Sequence, residues 1–194
     1  MKRILLVLFL FPSAALAQVD STDIRYSWFQ LGHVMSTVEA PGEDMDLSGW
    51  NFSAAFAVRE HVHLFADYES FEVDDFEQAT GKETTLGIGA HFDLVERLSI
   101  FGRVGYYDVS ADDGFATAED DGIRAIAGLR FMPLPGYELR GGVDYVDLDL
   151  SGDDTAGFAA ADIWLADGFA LTGEVLFYED GESYMVGGRF YFGD

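Results

Sequence analysis

Twelve ionisable residues share one parity of a recurring alternating pattern, and they are the side chains in this sequence best placed to do chemistry. The acids are Asp67, Glu69, Asp93, Glu138, Asp144, Asp162 and Glu174, and the bases are Arg103, Arg124, Arg130, Arg140 and Arg189. Carboxylates beside guanidiniums do one of two things. They pair through the planar fork of arginine and close a channel, or they stay solvated and line a selective aqueous path. The pairing reading is preferred, with Arg103 expected at the depth of Asp67 and Glu174. A second set, Asp112, Asp113, Asp120, Asp121, Asp147, Asp149, Asp153 and Asp154, with Asp74 and Asp75, offers hard oxygen donors for Ca²⁺ or Mg²⁺. These acids lack the ligand spacing and glycine of an EF-hand loop, and solvated acidic tips that resist aggregation are the simpler reading. His63, His91 and Asp93 share a parity, yet no diagnostic metal spacing joins them, so no metal site and no cofactor are expected. The chain has no Cys, and none of its Ser residues finds a His at a matching depth, so no catalytic residue is assigned and no enzyme is expected.

The elements that carry these residues alternate with period two. In HVHLFADYES, Val62, Leu64, Ala66 and Tyr68 take one parity while His63, Phe65, Asp67 and Glu69 take the other. In LSIFGRVGYY, Leu98, Ile100, Val104 and Tyr106 oppose Ser99, Phe101, Arg103 and Tyr107. Each run reads as a strand with one apolar and one polar face. The unit repeats: VHLFADYE, LSIFGRVG, YELRGGVD and FALTGEVL each carry an aliphatic residue followed two places later by Ala or Gly. Each follows another alternating run across a break of a few residues (REH, VER, PLPG, DG), which is hairpin spacing. The other connections read as longer acidic loops, near 35–47, 71–83, 108–121, 147–155 and 178–183. Ten strands are expected, near 24–34, 48–58, 61–71, 83–94, 98–108, 121–132, 137–147, 156–166, 169–178 and 183–192, with eight as the alternative count.

Residues 1–17, MKRILLVLFLFPSAALA, have a basic start, an apolar run from Ile4 to Phe11 and a small-residue Ala15-Leu16-Ala17 site. That is the pattern of a secretory signal peptide, leaving 18–194 as one domain. The run is too short for a spanning helix. The whole chain carries 35 acids against 11 bases, a formal charge of −24, which excludes a nucleic-acid partner. Its 49% hydrophobic and 15% aromatic content excludes a disordered acidic chain.

Short turns on one rim, longer polar loops on the other and an even strand count describe an all-β, antiparallel, up-and-down transmembrane barrel. Its outward face would carry Trp50, Phe52, Phe56 and Val58, then Leu86, Ile88, Phe92 and Leu94, then Ile123, Leu129 and Phe131. Trp50, Tyr68, Tyr106, Tyr137 and Tyr145 would form interfacial girdles. The last strand, SYMVGGRFYFGD, places Tyr184, Val186, Gly188, Phe190 and Phe192 on one face, with Gly193 and Asp194 after the final Phe. It looks like the C-terminal signature that outer-membrane barrels present to their assembly machinery. With the signal peptide and the hairpin series, the chain resembles the small outer membrane protein β-barrel domain family of OmpA and OmpX relatives. The segments YSWFQLGHV and GWNFSAAFAV are similar to a xanthomonad-type subgroup of short barrels. The resemblance implies a monomer in the cell outer membrane, with outer-membrane lipid, lipopolysaccharide and the barrel assembly machinery as partners. The expected role is structural or surface-interacting, with a charged, mostly closed lumen. The alternatives are a narrow porin-like channel, a barrel-embedded hydrolase and a secreted adhesin-like β-protein.

Overall fold

The computed structural model describes residues 24–39, 44–73 and 76–192. The signal segment 1–17, the acids Asp74 and Asp75 and the terminal Gly193-Asp194 lie outside the described residues. Ten strands run in chain order: β1 Trp28–Glu39, β2 Asp44–Arg59, β3 Val62–Val73, β4 Phe76–Val95, β5 Leu98–Asp112, β6 Thr117–Leu134, β7 Tyr137–Leu148, β8 Gly152–Ala166, β9 Phe169–Tyr178 and β10 Gly181–Tyr191. Each pairs antiparallel with its sequence neighbours, and β1 pairs with β10 to close the barrel. Closure leaves no unpaired sheet edge, which a strand needs if its surroundings cannot hydrogen-bond to it.

The alternation sorts the faces as expected. Trp50, Phe52, Phe56, Leu86, Ile88, Phe92, Ile123, Leu129 and Phe131 point outward and are each between 43% and 59% exposed. Such a continuous apolar belt is unusual on a water-soluble monomer and fits hydrocarbon contact. Trp50, Tyr68, Tyr106 and Tyr145 are exposed on the same face, whereas Tyr137 is half-buried.

One rim differs from the sequence reading. The segments expected as long acidic loops are mostly strand: β4, β5 and β6 pair up to Thr80↔Asp112 and Asp112↔Thr117. Only short connections interrupt them, such as 113–116, 149–151 and 179–180. The reason is physical. Above the apolar belt both faces of a strand meet water, so the apolar/polar alternation that marks a strand disappears, while the backbone ladder continues unaffected. The opposite rim has tight turns, with Gly136 and Gly168 at φ of 82°, a conformation that suits glycine.

Inward glycines let large rings lie flat on the wall. A Cβ at Gly87 would sit 2.6 Å from Cε1 of Phe65, and one at Gly89 would collide with the imidazole of His63. Smaller residues on β4 therefore make room for the aromatic side chains of β3.

Candidate functional site

The lumen is built from inward side chains of all ten strands, and its tight-turn end is filled. Trp28, Ala55, Phe65, Trp164, Ala170 and Tyr191 form a buried cluster there, with the Trp164 and Tyr191 rings stacked at 4.3 Å. Tyr26, just before β1, enters the same floor. Its ring stacks on His91 at 3.4 Å, lies 5.4 Å from His63 and sits under the Arg130 guanidinium at 4.4 Å. Its hydroxyl shares a 2.6 Å hydrogen bond with Ser99 Oγ. The two histidines thus belong to an aromatic floor. Among the described residues no three His, Asp or Glu side chains converge to hold a metal ion.

Above the floor, one half of the wall is an ion-pair network. Arg130 donates from Nε to Glu138 Oε1 at 2.7 Å and from Nη2 to Oε2 at 2.9 Å, a two-pronged contact with both groups buried. Arg124 makes the same kind of contact with Asp144, at 3.0 Å from Nε and 2.5 Å from Nη2. Asp162 is the hub. It accepts from Arg189 Nη1 at 2.8 Å, Arg140 Nη2 at 3.2 Å, Thr172 Oγ1 at 2.6 Å and the Tyr191 hydroxyl at 2.7 Å. Arg140 also reaches Glu174 at 3.4 Å, and Arg189 donates to Gln30 Oε1. These charges sit on β6, β7, β8, β9 and β10. Identical charges are direct cross-strand partners (Arg130↔Arg140, Glu138↔Asp162), and offset reach between strands converts the like pairs into opposite ones.

The other half, on β3, β4 and β5, is different. Among the described residues Arg103 forms no ion pair within 4.0 Å with Asp67 or Glu174; which carboxylate it would meet depends on barrel shear, which sequence depth does not give. Its Nε donates to His63 Nε2 at 3.2 Å, and its guanidinium lies 5.3–5.6 Å from the ring centres of Trp28, Phe65 and Phe101. The acceptor role of Nε2 puts the His63 proton on Nδ1. Asp67 and Glu69 face the lumen without a basic side chain within the 4.0 Å limit of an ion pair, among the described residues. Among the described residues Glu69 accepts from Asn51 Nδ2, at 3.4 Å. Glu83, a register partner of Glu69, joins them on this wall.

Between the two walls lies a cavity of about 700 Å³. It runs from Trp28, Arg103 and Arg130 up to Asp153, Asp154, Glu179 and Asp180 at the acidic rim. Below it lie the buried rings and ion pairs of the floor.

The candidate divalent-cation acids are spread rather than gathered. Asp112 Oδ1 accepts from Gly114 N and Asp113 Oδ1 from Phe115 N and Ala116 N, so both organise the 113–116 turn. These two amide donors hold the exposed Asp113 carboxyl below its ordinary range. Asp120 accepts from Leu150 N, Ser151 N and Ser151 Oγ, tying the β6 end to the β7–β8 turn. Asp154 bonds Thr155 N, while Asp121, Asp147, Asp149 and Asp153 lie along the rim. Turn N–H groups take these carboxylates because short connections leave amides without ladder partners.

Sequence reasoning passed over Tyr26, Trp28, Gln30, Glu83, Thr172 and Tyr191 as lumen residues. Glu83 had a signal, since it shares the parity of Thr85, but it stood at an assumed strand end. Gln30 and Thr172 had none beyond parity, because their importance comes from partners far away in sequence.

No protein-family model and no curated protein matches the chain. Solved structures do. An outer-membrane channel from Pseudomonas putida F1 is similar with a TM-score of 0.54 and 11% identity, over 94% of this chain and 100% of that one. The fold is that of the outer-membrane β-barrels. The NanC porin aligns with a TM-score of 0.53 and 8% identity, over 84% of this chain and 100% of its own. The KdgM porin, solved in complex with oligogalacturonate, aligns at 0.50 with 10% identity, over 86% and 99%. At such identities the likeness concerns architecture, and function rests on the lumen described above.

Proposed function

We propose that the protein is an integral outer-membrane barrel that does not conduct, and that presents an acidic, blind-ended vestibule to the cell exterior. The observation that carries this reading is the filled floor: Trp164, Ala170, His63, Ser99 and Glu138 are each 0% exposed. A path for solute needs a continuous aqueous column, and here aromatic packing and buried ion pairs occupy it. Barrels of about this strand number have interiors that side chains nearly fill. The tight turns face the periplasm and the extended acidic rim faces outward, following the general habit of such barrels.

The reading includes a monomer, folded by the barrel assembly machinery, with outer-membrane lipid and lipopolysaccharide around the apolar belt and a non-catalytic surface role. Kinship with the small OmpA/OmpX-like barrels, of xanthomonad type, is part of the same proposal and rests on the Tyr26–Val34 and Gly49–Val58 segments. The test has two parts. Outer-membrane fractions run on a gel with and without boiling should show a mobility shift, because closed barrels resist SDS until heated. Purified protein in planar bilayers should then give no unitary current. Discrete conductance steps from the wild type would replace the closed cup with the narrow-channel reading.

A further inference from the structure

Of the five arginines in the lumen, four have a carboxylate partner. Arg124 has Asp144, Arg130 has Glu138, Arg140 has Asp162 and Glu174, and Arg189 has Asp162. Arg103 has none within 4.0 Å among the described residues. Its Nε is spent on His63, and its terminal Nη groups donate to no described protein acceptor although the side chain lines the cavity. The Trp28, Phe65 and Phe101 rings lie around it and offer it no oxygen acceptor. A guanidinium in such surroundings is left short of hydrogen-bond acceptors, and an incoming carboxylate matches its fork.

Higher on the same half of the wall stand Asp67, Glu69 and Glu83, acids that form no direct ion pair among the described residues and meet Arg124 only at longer range. A single vestibule therefore has an unpaired cation at the bottom and unpaired anions nearer the mouth. We propose that it binds a dipolar, peptide-like ligand, with the carboxylate on Arg103 and the ammonium toward Asp67, Glu69 and Glu83. This deepens the reading of the lumen as an outward-facing cup and rests on it.

Size and charge narrow the ligand. The Arg103 row is set by its pairing with Gly89; Asp67 pairs with Thr85, four positions away along β4, and Glu69 with Glu83, six positions away. That is about 13–20 Å of strand at ~3.3 Å per residue. Side chains reaching in from both rows shorten the gap, so an extended chain of roughly four or five residues spans it. A cavity of about 700 Å³ is in the range of small-ligand sites. Its apolar walls, among them Val34, Ile126, Phe158 and Leu176, suit aliphatic side chains. Asp153, Asp154, Glu179 and Asp180 at the mouth repel simple anions and favour a ligand with no net charge whose trailing ammonium stays on the acidic side.

Titration calorimetry of the full mature barrel in detergent tests the proposal with the tetrapeptide Ala-Leu-Leu-Ala, its C-terminal amide, its N-acetyl form and sodium acetate. The free-ended peptide should bind, and amidation should weaken it about ten- to a hundredfold, the usual worth of a charge-assisted contact. Arg103→Gln should lose the same factor and no longer distinguish acid from amide. Glu69→Gln with Glu83→Gln should weaken the effect of N-acetylation while leaving that of amidation. The heat-shifted gel band confirms folding of each variant. If Arg103→Gln fails to fold, the wild-type amide comparison and the glutamate variants decide alone. Equal binding of acid and amide, wild-type affinity in Arg103→Gln, or no heat from any peptide up to about 10 mM overturns the proposal. Acetate binding as tightly as the peptide would also overturn it, leaving Arg103 as a simple anion site. Because the titration needs no membrane, a silent barrel without binding refutes this inference alone. A conducting barrel that binds refutes only the closed cup.

Discussion

Asp162 is the strongest test of the lumen network. Four donors meet its two oxygens, two of them from arginines, and the side chain is 1% exposed. Asp162→Leu removes the negative charge and strands Arg189, whose other side-chain partners are Gln30 Oε1 and the Tyr191 hydroxyl. Arg140 is less affected because Glu174 at 3.4 Å and Glu138 at 3.8 Å still face it. Breaking a buried pair on one side costs about 3–5 kcal/mol, since an uncompensated charge stays inside. The stranded Arg189 puts the expected loss toward the middle of that span, about 4 kcal/mol. Replacing both partners by apolar groups of similar shape is nearly neutral, so adding Arg189→Met should restore most of the loss. The assay is urea unfolding of the barrel refolded into lipid vesicles, followed by Trp emission and the gel shift, for wild type, both singles and the double. Additive losses in the double variant, or an Asp162→Leu loss below about 1 kcal/mol, would show that the lumen is wet and the charges merely solvated.

Ile88→Arg, on the exposed apolar belt, should cost about 2–4 kcal/mol in vesicle unfolding, while Ile126→Arg, lining the cavity, should cost clearly less; equal costs would contradict the assigned faces. Gly87→Ala should destabilise by about 1–3 kcal/mol because its Cβ would press on Phe65 and on the Gly105 backbone. Gly102→Ala, whose nearest neighbour would be 3.9 Å away, should be neutral or slightly stabilising, and the reverse order in the same assay would refute the inward packing of β4. The 113–116 turn should lose order on acidification. Asp113 is held below its ordinary value of 3.8 by the Phe115 and Ala116 amides, so the order it contributes is present above that value and is lost as pH falls through the depressed one. Amide shifts of Phe115 and Ala116 that titrate at or above the ordinary value would contradict this.

The alternation of single residues was enough to place Ile88 outside and Arg103 inside, and the short breaks REH, VER, PLPG and DG, alternating with five longer acidic connections, were enough to count ten strands. Both are local properties: parity is set by the pleat, and a tight turn by the few residues in it. The height of the acidic rim was not legible. Where water bathes both faces, Asp120 and Val109 obey no face rule, yet their backbones pair as well as any others. The partners of the lumen charges were not legible either. A lumen contact joins residues as distant as Gln30 and Arg189, which meet only because β1 closes on β10. Register decides which carboxylate each arginine reaches, and it is a property of the whole ring rather than of any strand. The same closure brings Tyr26 against two histidines and fills the floor with rings. Sequence alone thus determined that five arginines and their acids would share one interior. Only the closed tertiary structure decided that four would find carboxylates and that Arg103 would be left facing an open cavity.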